Sequence, residues 1–379
     1  MNPRVSALAP SGIRALAERK RPTSIDLSVG QPGLPPDIGP FETATDWVRR
    51  NGCLYPPYCG VEQLRQKVAN VYGGPLFAGA ENVCVTNGAQ EAIYIAIKTL
   101  VDPRAGEVLV LNPGYPSYAR CCELEGIAWR PIGLDASGGF ALTAAAVLAA
   151  VGPATRLIII GSPSNPTGAV MAPTEVDELG RGLISLGDAA PWVIFDEVYR
   201  ELSYEDAPFR SITTTYPKSM SVQSLSKSCA VTGLRIGFLI GPTEVIERAT
   251  RVHALMLMSI SVFGQQVALG MLRSTATLGS HRPYYQAQRQ VMRAAARGAA
   301  IEFVDPQGAF YTLVRLSPSW HGRSHQAAVH LLEQYDVVTV AGDVFGSATS
   351  DYLRVTWSGS AADVREGFDR IGRFLSREG

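Results

Sequence analysis

Apolar runs of strand length that end abruptly in polar, turn-forming loops recur along this chain, and they restrict its fold more than any other feature. RLIIIG (156–161) runs into SPSNPTG, VLVL (108–111) into NPGYPSY, and WVIF (192–195) into Asp196. A strand that is apolar at every position, not at alternate ones, is buried on both faces, as in a parallel sheet covered by helices. The loops at the C-terminal ends of such strands are where doubly wound sheets hold ligands. Asp196 is the notable residue here, because a carboxylate at the end of a buried strand is costly without a cationic partner.

A second stretch suits a cofactor. In VQSLSKSCAVTGLRIGFLIG (222–241), Ser224 and Ser226 precede Lys227, and Arg235 follows eight positions on, flanked by Gly233 and Gly237. A lysine does covalent chemistry only when its amine is deprotonated, which desolvation or a nearby cation favours. Hydroxyls, a guanidinium and glycines that admit close backbone approach are what a bound phosphate requires. VCVTNGAQEAIYIAIKTL (83–100) reads as strand, Asn-Gly turn and helix, so Gly88, Ala89 and Gln90 form a phosphate cradle of free backbone N–H groups at a positive dipole end. No GxGxxG follows a strand and no Walker lysine is present, so dinucleotide and P-loop readings lack support.

Composition removes other classes. With 34 basic and 34 acidic residues the chain carries no net field for nucleic acid or a membrane surface. No apolar run approaches the ~18 residues a membrane span needs, and the N-terminus, with Arg4, Arg14, Arg19, Lys20 and Arg21, lacks the apolar core of a secretory signal. The expectation is a cytoplasmic protein whose first helix is capped by Ser11 and buries Ile13, Leu16 and Ala17. The cysteines have neither disulfide-framework nor zinc spacing, although Cys229 stands two residues from Lys227. His321 and His325 lack a third ligand, so no metal is expected, and a helix capped by Ser324 accounts for them better.

SLSKSCAVTGLRIG resembles the pyridoxal-phosphate lysine signature of the class I and II aminotransferases, the fold-type I group similar to aspartate aminotransferase. The resemblance extends over nearly the whole chain through several short motifs in one order. It implies an α/β fold with a mostly parallel seven-stranded sheet in a large domain (41–275) and a smaller α/β domain from both termini, made of 276–379 and part of an N-terminal arm (1–40). It implies pyridoxal 5′-phosphate held at Lys227 as an imine, between the domains and at the interface of a homodimer with shared sites. Residue by residue, Tyr118 matches the aromatic that stacks on the cofactor ring, Asn165 and Tyr199 the partners of its 3-oxygen, and Asp196 the partner of its protonated nitrogen. Gly88, Ala89, Gln90, Ser224, Ser226 and Arg235 match the phosphate site, and Tyr55 the tyrosine that reaches the neighbouring subunit's phosphate. Gly30, Asn165 and Arg354 match the grip on the substrate carboxylate, although an arginine on a terminal edge strand would by itself be read as solvated.

What the resemblance implies is an aminotransferase moving an amino group from an L-amino acid to a 2-oxo acid, with Lys227, Asp196 and Tyr199 as catalytic residues. Two other uses of the same cofactor stay open at this stage: elimination or γ-substitution, as in enzymes similar to cystathionine β-lyase or aminocyclopropane-carboxylate synthase, and oxidation by oxygen. SISVFGQQVAL, in a helical region over 243–300, is expected to carry inter-subunit contacts, with Ser261 reaching the partner's phosphate. The chain departs from the family at Ala341-Gly342, where Pro-Gly is usual, and at Trp357, expected to reshape the side-chain pocket. Arg282 is the candidate for a second, distal-carboxylate arginine.

Overall fold

The computed structural model describes residues 1–8, 12–204, 209–273 and 278–377. Its centre is a seven-stranded sheet: β1 (Val83–Thr86), β2 (Glu107–Asn112), β3 (Ala128–Gly133), β4 (Thr155–Gly161), β5 (Trp192–Asp196), β6 (Ser219–Ser224) and β7 (Gly237–Ile240). The spatial order is β1-β7-β6-β5-β4-β2-β3. β7 is antiparallel to both its neighbours, and the other pairings are parallel.

The apolar runs explain this interior. In β4, Leu157 and Ile159 pack on one side with Val108, Val110 and Ile194. Ile158 and Ile160 pack on the other with Leu109, Val193 and Phe195. Both faces are therefore covered, as the unbroken hydrophobicity requires. Strand order reverses between β2 and β4, because the chain moves outward to β3 before returning to the far side of β2. The loops that leave β1, β2, β4, β5 and β6 open on one edge of the sheet, around that reversal, and β7 begins there with Gly237 opposite both Thr86 and Ser224.

A second core joins the two ends of the chain. β8 (Tyr311–Arg315), β9 (Val340–Ala341) and β10 (Tyr352–Thr356) form an antiparallel sheet in the order β9-β10-β8. Leu16, Ile25 and Leu27 share its hydrophobic cluster with Phe310, Val355, Trp357, Phe368 and Phe374. Ile25–Asp26 pairs in parallel with Val337–Val338, and the Thr356 N–H donates to the Leu27 carbonyl. These bonds run the N-terminal segment alongside β10, so Ser28 and Gly30 arrive at the edge of the large sheet.

Several expectations need correction. Arg354 lies on β10, the middle strand of its sheet, and is 1 % exposed, so it is neither on an edge nor solvated. The region 243–300 contains the separate helices Thr243–Leu257, Val262–Arg273 and Arg282–Gly298, the first ending at Met258 with φ +61°. Val262–Arg273 is buried almost throughout within its own chain, because its apolar residues surround the helix instead of forming one stripe. Its accessible positions are Phe263, Gly270 and Arg273, with Ser261 exposed just before it. Near the N-terminus the helix covers only Gly12–Ala15, with Leu16 buried after it, and the expected Ser11 cap lies outside the described residues. Ser324 is the first residue of the helix Ser324–Tyr335, not its cap, and its hydroxyl accepts from the Asp343 N–H. Among the described residues no helix is long and apolar enough to cross a membrane, and no three metal-ligating side chains cluster.

Candidate active site

A cavity of about 650 Å³ opens where the two cores meet, at the C-terminal edge of the large sheet. Each strand that ends there delivers a side chain: Tyr115 and Tyr118 after β2, Asn165 after β4, Asp196 and Tyr199 from β5, and Ser224, Ser226 and Lys227 from β6. Arg235 reaches it just before β7, Ala89 and Gln90 just after β1, and Gly30, Tyr311 and Arg354 from the second core.

Lys227 sits on the single helical turn Leu225–Ser228, which Ser224 caps by accepting from the Ser226 N–H. Its Nζ donates to the Gly30 carbonyl and lies 5.8 Å from the centre of the Phe310 ring. Burial, then the charges of Arg354 and Arg235, lower its pKa to about 8. About a tenth of this amine is thus the free base at pH 7, far more than for an ordinary lysine, which favours nucleophilic and proton-transfer work.

Asp196 is buried, with the Tyr118 hydroxyl donating to Oδ2 at 2.7 Å and the Val198 N–H to Oδ1. Among the described residues no cation pairs with it, and burial lifts its pKa to about 6 despite those two donors. A buried acid of this kind has a pH signature. The folded protein holds the proton up to about pH 6, whereas the unfolded chain releases it near 3.8. The native state therefore binds more protons in that window, and its stability falls as pH rises through it and stays lowered above. Asp196→Asn is expected to stabilise the ligand-free protein by about 2–3 kcal/mol at pH 8, with a gain that shrinks towards pH 4. Urea unfolding across that range checks it; a gain independent of pH would contradict the account.

Arg354 is buried between aromatic faces, its Cζ 4.4 Å from the Tyr311 ring centre and 5.0 Å from that of Phe345. Nη1 donates to Asn165 Oδ1 at 3.1 Å, Nη2 donates to the Ser28 carbonyl, and Nε is buried with no partner. Among the described residues no carboxylate forms an ion pair with it. Tyr311 is fixed in turn: its hydroxyl lies 2.9 Å from that of Tyr199. Gly30 is needed beside it, since an added Cβ would fall 1.6 Å from the Tyr311 oxygen.

The turn after β1 is packed from outside by glycine. At Gly237 a Cβ would lie 2.4 Å from the Gly88 carbonyl carbon, and at Gly88, with φ +75°, it would lie 2.5 Å from Arg235 Nη2. These two positions let β7 and the guanidinium close on the first turn of helix α1 (Gly88–Leu100), whose N–H groups have no partners within the helix. Ser224 Oγ lies 2.8 Å from both Ser226 Oγ and the Ile236 carbonyl, which holds the hydroxyl pair beside that turn.

Not every predicted residue comes to the cavity. Tyr55 stands 84 % exposed on its loop, and Ser261 and Arg282 do not line the cavity. Trp357 is fully buried in the second core and cannot shape the pocket directly. Cys229 is buried outside the cavity, and burial pushes its thiol up to about 12, away from reactivity. Sequence reasoning missed Tyr115, Tyr311 and Arg14, which line the cavity. Tyr115, in NPGYPSY, was the most accessible of these to a closer reading: it lies at the strand's C-terminal loop, one turn before Tyr118, whose hydroxyl is committed to Asp196.

Against known proteins, the description "Aminotransferase class I and II" matches residues 23–371. The chain is 29 % identical to an aspartate aminotransferase of Pyrococcus horikoshii, over 99 % of this chain and 97 % of that protein. It is 30 % identical to one from Streptomyces avermitilis, over 96 % of this chain and 91 % of that protein. Among solved structures, aspartate aminotransferase from Thermus thermophilus with maleate superposes with a TM-score of 0.91 at 26 % identity, over 99 % of each chain.

Proposed function

The chain belongs to the class I and II aminotransferases, and from that membership we propose how its own residues perform the transfer. Enzymes of this family use pyridoxal 5′-phosphate, and this chain is a pyridoxal-phosphate-dependent aminotransferase acting on an amino acid and a 2-oxo acid. The residues present fit that cofactor. A buried carboxylate without a cation, a desolvated lysine and a glycine-lined helix N-terminus with a guanidinium converge on one cavity. When bound, the cofactor supplies an aldehyde that takes up the amino group and a pyridinium ring that withdraws electrons from the substrate's α-carbon.

Asp196 would hold the positive ring nitrogen, and Tyr118 holds Asp196 by the hydrogen bond it donates. Asn165 and Tyr199 would hold the ring oxygen, and Tyr115 and Tyr118, which also line the cavity, would wall the ring. Gly88, Ala89 and Gln90 offer the phosphate their backbone N–H groups, joined by Ser224, Ser226 and Arg235. Lys227 would hold the cofactor covalently and, as a free amine, would move the proton at the substrate's Cα. Arg354, steadied by Asn165, grips the α-carboxylate next to Gly30, which keeps the Cα–H directed at Lys227.

The protein is proposed to work as a homodimer in which Tyr55 serves the partner's site. Support comes from apolar side chains that this chain leaves uncovered: Leu54 at 77 % and Tyr58 at 55 % exposure beside Tyr55, and Leu255 at 90 % with Met256, Leu257 and Met258 at the end of Thr243–Leu257.

The observation that carries the mechanism is the Lys227 amine, brought to about 8 within the cavity that also holds Asp196 and Arg354. The test is an absorbance titration of the purified enzyme with single amino acids and no acceptor, beginning with aspartate, the donor in the relatives' names. A true donor converts the cofactor band once, releasing one equivalent of 2-oxo acid per site. Continuous turnover with ammonia or peroxide would replace this reading with elimination or oxidation.

A further inference from the structure

Glu91 and His253 form a buried pair that no step above uses. Glu91 is 7 % and His253 0 % exposed, with His253 Nδ1 2.8 Å from Glu91 Oε1. The other carboxylate oxygen, Oε2, accepts the Asn87 N–H at 2.5 Å. Asn87 is the residue before Gly88, and its carbonyl accepts from Arg235 Nη2 at 3.4 Å. His253 lies on helix α2 (Thr243–Leu257), which thus reaches through Glu91 to the turn that opens α1.

Asn87 occupies the N-cap position of α1, where an asparagine side chain commonly accepts an N–H from the first turn, yet it makes no such bond. A conventional cap would occupy donors that an anion at this helix end needs. Glu91 secures the turn differently: from one turn further on, it reaches back to the N–H of the cap residue itself and leaves the first-turn donors unclaimed. The second oxygen is tied to His253, so the carboxylate cannot rotate away.

We propose that Glu91 is a positioning residue for the cofactor phosphate: braced by His253, it holds the Asn87–Gly88 peptide so that the first-turn N–H groups stay open to the phosphate. This rests on the phosphate lying at that turn. Neither side chain touches the cofactor in this account.

The test compares pyridoxal 5′-phosphate with pyridoxal, which lacks the phosphate, as ligands of the full chain stripped of cofactor. Glu91→Leu keeps a similar volume and removes both acceptor oxygens, for the Asn87 N–H and for His253. It is expected to weaken pyridoxal 5′-phosphate about tenfold and to leave pyridoxal within about twofold. His253→Asn, which keeps the carboxylate and its bond to Asn87, should show about a threefold loss of the same selectivity, and it carries the test if Glu91→Leu does not fold. Equal weakening of both ligands, or no change in either, would overturn the proposal. Equal affinity of the unaltered protein for the two ligands would overturn the assignment of the phosphate to this turn, and the proposal with it, without touching the family membership.

Discussion

Lys227→Ala is expected to lower turnover by about four orders of magnitude or more, the scale of a lost nucleophile and general base. Binding of pyridoxal 5′-phosphate should persist, because the phosphate turn and Asp196 do not depend on the lysine. Removing the Nζ leaves the Gly30 carbonyl without its donor, but the segment before it is fixed independently by its pairing with Val337–Val338 and by the Thr356 N–H on the Leu27 carbonyl. The fold should therefore survive. Steady-state rates show the loss, and equilibrium dialysis shows retention of the cofactor. Lys227→Arg should not restore activity: a guanidinium stays protonated where burial and two neighbouring cations have brought the lysine to about 8. Residual activity above about one per cent in either variant would remove Lys227 from the proton transfer, since general catalysis by a placed side chain is worth at least about a hundredfold.

The residues that could be read from the sequence are those whose local context states a chemical demand. The unbroken apolar runs of β4 and β5 require burial on both faces, which dictates a helix-covered sheet and puts Asn165 and Asp196 at its ligand edge. Lys227 was legible through its serines, glycines and arginine. What could not be read depends on contacts between distant segments. The bond from Arg354 to Asn165 spans 189 positions, and it exists because the N-terminal segment pairs with Val337–Val338 while β10 lies between two strands. The solvated-edge reading of Arg354 failed for that reason. How helix Val262–Arg273 is covered could not be read either, because an apolar sequence is the same whether a partner chain or the protein's own interior covers it. Glu91 and His253 were invisible, since an acid four residues after an asparagine implies a solvent-facing helix until α2 is laid against it.

Arg354→Leu should lower kcat/KM by about a hundred- to a thousandfold, mainly through KM, in line with the 2–5 kcal/mol typical of one lost partner in a buried charge pair. The case for substrate binding is that this guanidinium is buried, stacked on Tyr311 and Phe345, and bonded only to neutral oxygens, with Nε unused. So poorly compensated a charge is not explained by stability, and a planar carboxylate would meet its fork with two parallel hydrogen bonds. Lysine supplies neither the fork nor the stack, so Arg354→Lys should recover less than about a tenth of the lost efficiency. A second readout separates a binding role from simple damage. The Arg354 charge is, after burial, the next cause of the lowered Lys227 pKa, so its removal should move that pKa upward and shift the alkaline rise of the rate to higher pH. A variant with raised KM and an unmoved pH profile would leave Arg354 as a carboxylate clamp alone. A variant with unchanged KM would deny it the substrate altogether, and the carboxylate would have to be sought by Arg14, a further arginine lining the cavity.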